Sequence, residues 1–163
     1  MYKMIGITNA TEMKIEKYRN IRYIRLWYEK NSVNNAGHLV EFEAWDTEEI
    51  NRALGINFTV VSGNATSLSA ATDGSFSHTG GSGFININAN TEIQLDLGAV
   101  YKIKKIKIWG YWDDSRAYTY RLRISPNGTD WDIIYDARYD GIYIETSNGK
   151  TFDFSIYQYK KIT

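Results

Sequence analysis

The sequence predicts an all-β protein, a sandwich or a barrel, on three observations. Aromatic residues make up 15% of the 163 positions, as Tyr 13, Phe 6 and Trp 5, and this side-chain class is enriched in strands. Short runs alternate apolar and polar residues with a period of two, as a strand does when one face lies on a core. Gly, Asn and Asp punctuate those runs, and the chain carries 13 glycines against a single proline.

The clearest alternations are Ile93, Leu95 and Leu97 with Glu92, Gln94 and Asp96 between them, and Tyr118, Tyr120, Leu122 and Ile124 with Thr119, Arg121 and Arg123 between them. Further strands are expected at Ile21 to Tyr28, Leu39 to Trp45, Phe58 to Val61, Phe84 to Ile87, Tyr101 to Trp109, Trp131 to Tyr135, Ile142 to Glu145 and Thr151 to Tyr157. About ten short strands in one domain is the count of a sandwich or a barrel. Ile103 and Ile106 lie three apart, so the phase breaks at Lys104 and Lys105, as an inserted bulge residue makes it do. Turns are expected at Thr72-Asp73-Gly74, Leu97-Gly98-Ala99, Pro126-Asn127-Gly128, Asp140-Gly141 and Asn148-Gly149, where Gly, Asn or Asp accepts a positive φ. The one helical candidate is Thr47 to Leu54, with Thr47 as cap and Gly55 as stop. Ser62 to Ser69 and Ser75 to Gly83 read as polar loops, and end loops are where a rigid sandwich displays its ligand sites.

A chain of this length fits one domain with a real core, since 43% of it is hydrophobic. Lys plus Arg is 19 and Asp plus Glu is 19. That balance removes the basic field on which nucleic acids and anionic membranes rely. With no cysteine there is no disulfide framework, thiolate metal site or cysteine nucleophile. Met1 to Glu16 carries Lys3, Glu12, Lys14 and Glu16 and does not read as a signal peptide.

Three motifs follow one another between Ala70 and Tyr135: Ala71-Thr72-Asp73-Gly74, then Thr91-Glu92-Ile93-Gln94-Leu95-Asp96-Leu97-Gly98, then Tyr120-Arg121-Leu122-Arg123-Ile124-Ser125-Pro126-Asn127-Gly128-Thr129-Asp130-Trp131. In this order they resemble the discoidin, or coagulation factor type C, family. The resemblance implies an antiparallel jelly-roll β-sandwich of the galactose-binding type. A fourth match is out of place. Ile21-Arg22-Tyr23-Ile24-Arg25-Leu26 and Leu39-Val40-Glu41-Phe42-Glu43-Ala44-Trp45 resemble the family's last two strands, yet here they precede the first. Circular permutation within one domain, a swap completing a neighbouring subunit, and the tail of a preceding repeat all account for that order. Length favours a single domain over 1–163, with 1–46 carrying the family's C-terminal strands and 47–163 the rest.

The resemblance also implies site residues. The loop Ala71 to Gly74 is similar to the calcium loop of bacterial discoidin modules, which points to Asp73 and Glu41 as carboxylates for a structural Ca²⁺; the plainer alternative is an Asx turn at Asp73-Gly74. Sugar sites of the fold lie on end loops. Gly110-Tyr111-Trp112-Asp113-Asp114-Ser115-Arg116-Ala117 offers Tyr111 and Trp112 as stacking platforms and Asp113 and Arg116 as hydrogen-bonding groups. The competing expectation is that Trp112 plugs the sandwich end and Asp113 pairs with Arg116. His78, and Asn34 in the loop of the displaced hairpin with Asn31 and Asn35, are expected to form a second wall. The Trp that usually follows the Asp-Gly loop is missing, and fucose specificity gains no support.

Catalysis finds no purchase. Gly80-Gly81-Ser82-Gly83 breaks the nucleophile-elbow pattern at Phe84, the two histidines, His38 and His78, leave few candidates for a triad or a zinc site, and adjacent Asp113 and Asp114 point apart rather than facing across a glycosidic bond. The sequence thus predicts a non-catalytic carbohydrate-binding module, a lectin-like adhesion domain on a cell surface, a cell wall or a virion such as a phage tail. Weak single sites would be compensated by several copies in a homo-oligomer or larger assembly. The alternative is a structural or assembly domain using Met1 to Asn20 as a docking arm.

Overall fold

The computed structural model describes residues 12–14, 17–78, 83–155 and 159–161, the first and last of these as backbone only. Most of the Met1 to Asn20 arm, and positions 79–82 of the Ser75 to Gly83 loop, lie outside the described residues.

The chain folds as an antiparallel β-sandwich. Among the described residues its strands in order are β1 (Glu12–Lys14), β2 (Arg19–Asn31), β3 (Ala36–Asp46), β4 (Thr59–Ser62), β5 (Ala65–Thr66), β6 (Ile85–Asn88), β7 (Thr91–Gly110), β8 (Tyr118–Ser125), β9 (Asp132–Asp136), β10 (Lys150–Asp153) and β11 (Tyr159–Lys161), with a helical turn α1 (Ala137–Asp140) after β9. The 20-residue β7 serves both layers. Its first half pairs with β4 and β2, and β2 continues to β8 and β9. Its second half pairs with β10 and β3, and β3 continues to β6 and β5. The displaced hairpin therefore supplies one central strand to each layer, β2 to one and β3 to the other.

Alternation explains the core. Tyr118, Tyr120, Leu122 and Ile124 of β8 are buried while Thr119, Arg121 and Arg123 are half-buried on the outer face. Ile24, Leu26 and Tyr28 of β2 and Ile93 and Leu95 of β7 join them, facing Phe42, Ile85, Ile103, Ile106 and Ile108 across the sandwich. Each such side chain, removed from water, contributes about 1.5–3 kcal/mol. Tyr28 stacks on Tyr120 at 5.4 Å, and Phe42 meets Phe58 edge-on at 5.6 Å. On the outer face, Glu92 gathers Arg121 and Arg123 at 3.3 and 2.9 Å.

The expected bulge is present: Trp45 pairs with Lys105 and Asp46 with Ile103, which leaves Lys104 as the extra residue. Three expectations are corrected. Leu97-Gly98-Ala99 is a bend inside β7 rather than a reversal, because β2 runs along both halves, Tyr23 facing Asp96 and Ile21 facing Tyr101. Thr47 to Leu54 forms turns, not a helix. The Asp46 carboxylate takes the amides of Glu48 and Ile50, and the Asn51 side chain takes those of Ala44 and Ala53, so local side-chain bonds outcompete helical ones. Ile142 to Glu145 is a loop, held by an isolated bridge between Ile144 and Ala117 just before β8 rather than by a strand ladder.

Candidate functional site

At one end of the sandwich the connection 111–117 between β7 and β8 lies against the β2–β3 hairpin loop. Asn31 shapes that loop: its Oδ1 accepts from the amides of Val33 and Asn34 at 2.7 and 2.8 Å, while its Nδ2 donates to the Ala36 carbonyl and to Asn34 Oδ1. Ser32 then joins the two loops, its amide donating to the Ala117 carbonyl and its Oγ accepting from the Ala117 amide. Between them opens a cavity of about 220 Å³ lined by Asn34, His38, Phe84, Tyr111 and Arg116.

Three of the expected ligand residues, Asn34, Tyr111 and Arg116, meet in this cavity. The other three, His78, Trp112 and Asp113, form a second group beside it. His78 packs on Trp112 with centroids 4.0 Å apart and the rings tilted by 43°, and approaches Tyr111 at 5.7 Å, which links the groups. Asp113 pairs with His78 Nε2 at 2.8 Å rather than with Arg116, and Arg116 is held bidentately by Asp114 at 2.8 and 2.6 Å. Ser115 in the left-handed region (φ 57°) turns the chain between Asp114 and Arg116. Trp112 is half-buried and is not part of the core cluster, so it does not plug the sandwich end.

Sequence reasoning passed over His38 and Phe84 as ligand groups. Both rings are half-buried and meet edge-on at 5.1 Å. The available signal was His38's place in β3 alternation, between buried Gly37 and Leu39 and close to the Asn-rich loop.

Charges in the site are set by their neighbours. Asp114 sits below the usual carboxylate range because Arg116 hydrogen-bonds it. The Phe76 carbonyl on Nδ1, at 2.9 Å, and then Asp113 on Nε2 push His78 up. Burial, and then the Arg116 charge, push His38 down, so its ring is neutral.

The site is braced from behind by Glu145, 4% exposed, whose carboxylate accepts from the Gly110 amide at 2.7 Å and whose own amide donates to the Arg116 carbonyl. Burial raises Glu145 to about 7 against an ordinary 4.5, with the Gly110 amide and Lys150 pulling the other way. As pH climbs from about 4.5 through 7 the unfolded chain ionises Glu145 before the folded one does, and stability falls by roughly 3 kcal/mol from this group. Thermal melts of Glu145→Gln should show a flatter loss of stability over that window than the parent; equal slopes would refute the assignment.

A separate carboxylate lies under the Asp-Gly loop. Glu41 on β3 is fully buried; the Gly74 and Phe42 amides bear on its carboxylate, but neither oxygen has a well-formed hydrogen bond among the described residues. Burial, and then the charge of Asp73, push it up to about 8. The Ala71 carbonyl accepts from the Phe42 amide at 2.7 Å, which fixes the loop against β3. Asp73 also makes the Asx bond, accepting from the Ser75 amide at 2.8 Å. A buried carboxylate with unused oxygens beside a second carboxylate is a donor set that fits a hard cation.

A two-layer jelly roll with a small aromatic and cationic cavity among its end loops is the architecture of a galactose-binding-like module. The chain matches the F5/F8 type C family described as NedA-like, galactose-binding domain over residues 59–162, and it belongs to that family. A relative is BTB/POZ domain-containing protein 9 of Drosophila melanogaster, 26% identical over 153 residues, covering 84% of this chain and 20% of the relative. The chain thus spans about a fifth of that relative's length. No solved structure matches the chain.

Proposed function

We propose that the chain is a non-catalytic carbohydrate-binding module whose glycan sits in the cavity between the hairpin loop and the 111–117 connection. The observation that carries this reading is the convergence of three half-buried aromatic rings, His38, Phe84 and Tyr111, with Arg116 and Asn34 around one ring-sized cavity. Aromatic faces stack on the C–H face of a pyranose while the guanidinium and amide bond its oxygens. Trp112, half-exposed beside Tyr111, extends the platform for a second sugar unit. A glycan array that includes bacterial cell-wall polysaccharides tests the reading. A specific hit that is lost in Trp112→Ala supports it, and silence across the array refutes it.

The same reading takes in three further proposals. Glu41 and Asp73, with backbone carbonyls of the 71–74 loop, hold a structural Ca²⁺, which would supply the positive charge that Glu41 lacks. The chain is a circular permutation within one domain: the family match begins at residue 59, after β2 and β3, while those strands lie at the centre of the layers and β1 pairs with β11 of the same chain. The module acts outside the cell or on a virion surface, as an adhesion element whose weak single site is multiplied by assembly. A second reading, subunit docking, draws on the exposed apolar residues Ile133, Tyr139, Ile142 and Ile144 around the end of β9. Sedimentation of the purified chain separates them, since a monomer argues against both docking between copies and a strand swap.

A further inference from the structure

The cavity wall offers hydrogen-bond donors, and the groups behind each side chain fix which atom is offered. Asn31 cannot be turned over, because its Oδ1 already takes two backbone amides and its Nδ2 feeds the Ala36 carbonyl. It therefore donates to Asn34 Oδ1 at 2.8 Å, and Asn34 is left with its Nδ2 amide as the free end. His38 Nδ1 lies 3.0 Å from the Tyr118 hydroxyl. The Arg116 guanidinium acts on that hydroxyl oxygen and can only donate, while the Tyr111 amide donates to the His38 carbonyl at 3.3 Å. The Tyr118 hydrogen accordingly goes to His38 Nδ1, so the neutral imidazole carries its own hydrogen on Nε2. Arg116 uses Nε and Nη2 on Asp114, which balances its charge and leaves Nη1 without a carboxylate. Among the described residues no carboxylate lines the cavity, and Asp113 and Asp114 beside it are engaged by His78 and Arg116.

Ligand groups differ in how they meet three donors, aromatic walls and a balanced charge. A hydroxyl brings a hydrogen for which the wall has no carboxylate acceptor. A carboxylate brings a full charge that the Arg116–Asp114 pair leaves uncompensated. An amide carbonyl accepts without donating and adds no charge, and an attached methyl group suits an aromatic wall. Resting on the carbohydrate-binding reading, we infer that the site selects sugars bearing an acetamido substituent over their hydroxyl or carboxylate counterparts, with the carbonyl accepting from Asn34, His38 and Arg116 and the methyl lying against Phe84 and Tyr111.

The test is a titration of the whole chain, followed by NMR or calorimetry, with N-acetylgalactosamine, galactose and galacturonic acid, and with N-acetylglucosamine and glucose. The acetamido sugars should bind about tenfold more tightly than their hydroxyl counterparts, the gain of one well-made hydrogen bond in a site built for it. Asn34→Asp keeps the Oδ1 that Asn31 needs and turns the free donor into an acceptor; it should bring the two classes near parity with an unchanged melting temperature. Equal affinities in the parent, tighter binding of galacturonic acid, or an undiminished acetamido preference in Asn34→Asp overturns the inference while leaving a carbohydrate module in place. Binding of no saccharide at all is a different result, because it removes the carbohydrate reading and this inference with it.

Discussion

Glu41→Gln should stabilise the EDTA-treated protein above pH 8 and abolish its stabilisation by calcium. An ionised carboxylate fully removed from solvent, with no well-formed hydrogen bond among the described residues, is among the costliest groups a small domain can carry. The folded group titrates at about 8 against an ordinary 4.5, so below 4.5 both states are protonated and no penalty exists. As pH rises from there the unfolded chain ionises first, and the full penalty, on the order of 5 kcal/mol, stands once the folded group has also ionised. Glutamine has the same shape without the charge and removes that penalty. In the parent, Ca²⁺ would offset it by binding the folded state alone, which makes the melting temperature depend on calcium concentration. Differential scanning calorimetry of parent and variant at pH 9, each with EDTA and with millimolar calcium, reads both effects. A parent that melts at one temperature in both buffers would sink the calcium proposal. A variant less stable than the parent in EDTA would show that the Glu41 charge is satisfied by the protein.

Much of this is visible in the sequence. The alternation in Tyr118 to Ile124 gives β8 and its inward face directly, and the missed beat at Lys104 marks a bulge, because strand period and burial are local properties. The end-loop site was half legible. Tyr111, Trp112 and Arg116 stand out as a cluster of stacking and hydrogen-bonding types, but His38 and Phe84 read as ordinary strand residues, and only the pairing of β3 with β6 and β7 brings them to Tyr111. The partner of Arg116 was legible only as an acidic neighbour. A left-handed Ser115 selects Asp114 over Asp113, and non-glycine residues adopt that conformation in ways composition does not announce. The helix expected at Thr47 failed for the same kind of reason, since Asp46 and Asn51 spend their oxygens on nearby amides. Pattern identifies which residues face inward, while tertiary contact decides what each loop residue bonds.

Two tryptophans three positions apart should respond to truncation in opposite ways. Trp109 is buried outside the main core cluster, on the side of β7 shared with Lys107 and under two loops: its ring meets Phe76 at 4.8 Å, its Nε1 donates to the Ser147 carbonyl at 3.1 Å, and Gly149 lies so close that an added Cβ would sit 2.6 Å from the ring. Trp109→Ala therefore opens a large cavity and frees the 141–149 loop that carries Glu145 behind the site. The expected cost is about 3–5 kcal/mol, or roughly 10 °C or more in melting temperature for a domain of this size. Trp112 is half-exposed and touches mainly the His78 ring, so Trp112→Ala should cost about 1 kcal/mol or less while removing the outer part of the stacking platform. Melting curves and glycan binding measured on both variants separate packing from recognition. Loss of binding at an unchanged melting temperature in Trp112→Ala assigns that ring to the ligand surface. A large fall in its melting temperature, comparable with that of Trp109→Ala, would instead make Trp112 a packing residue and confine the binding surface to the cavity of Asn34, His38, Phe84, Tyr111 and Arg116.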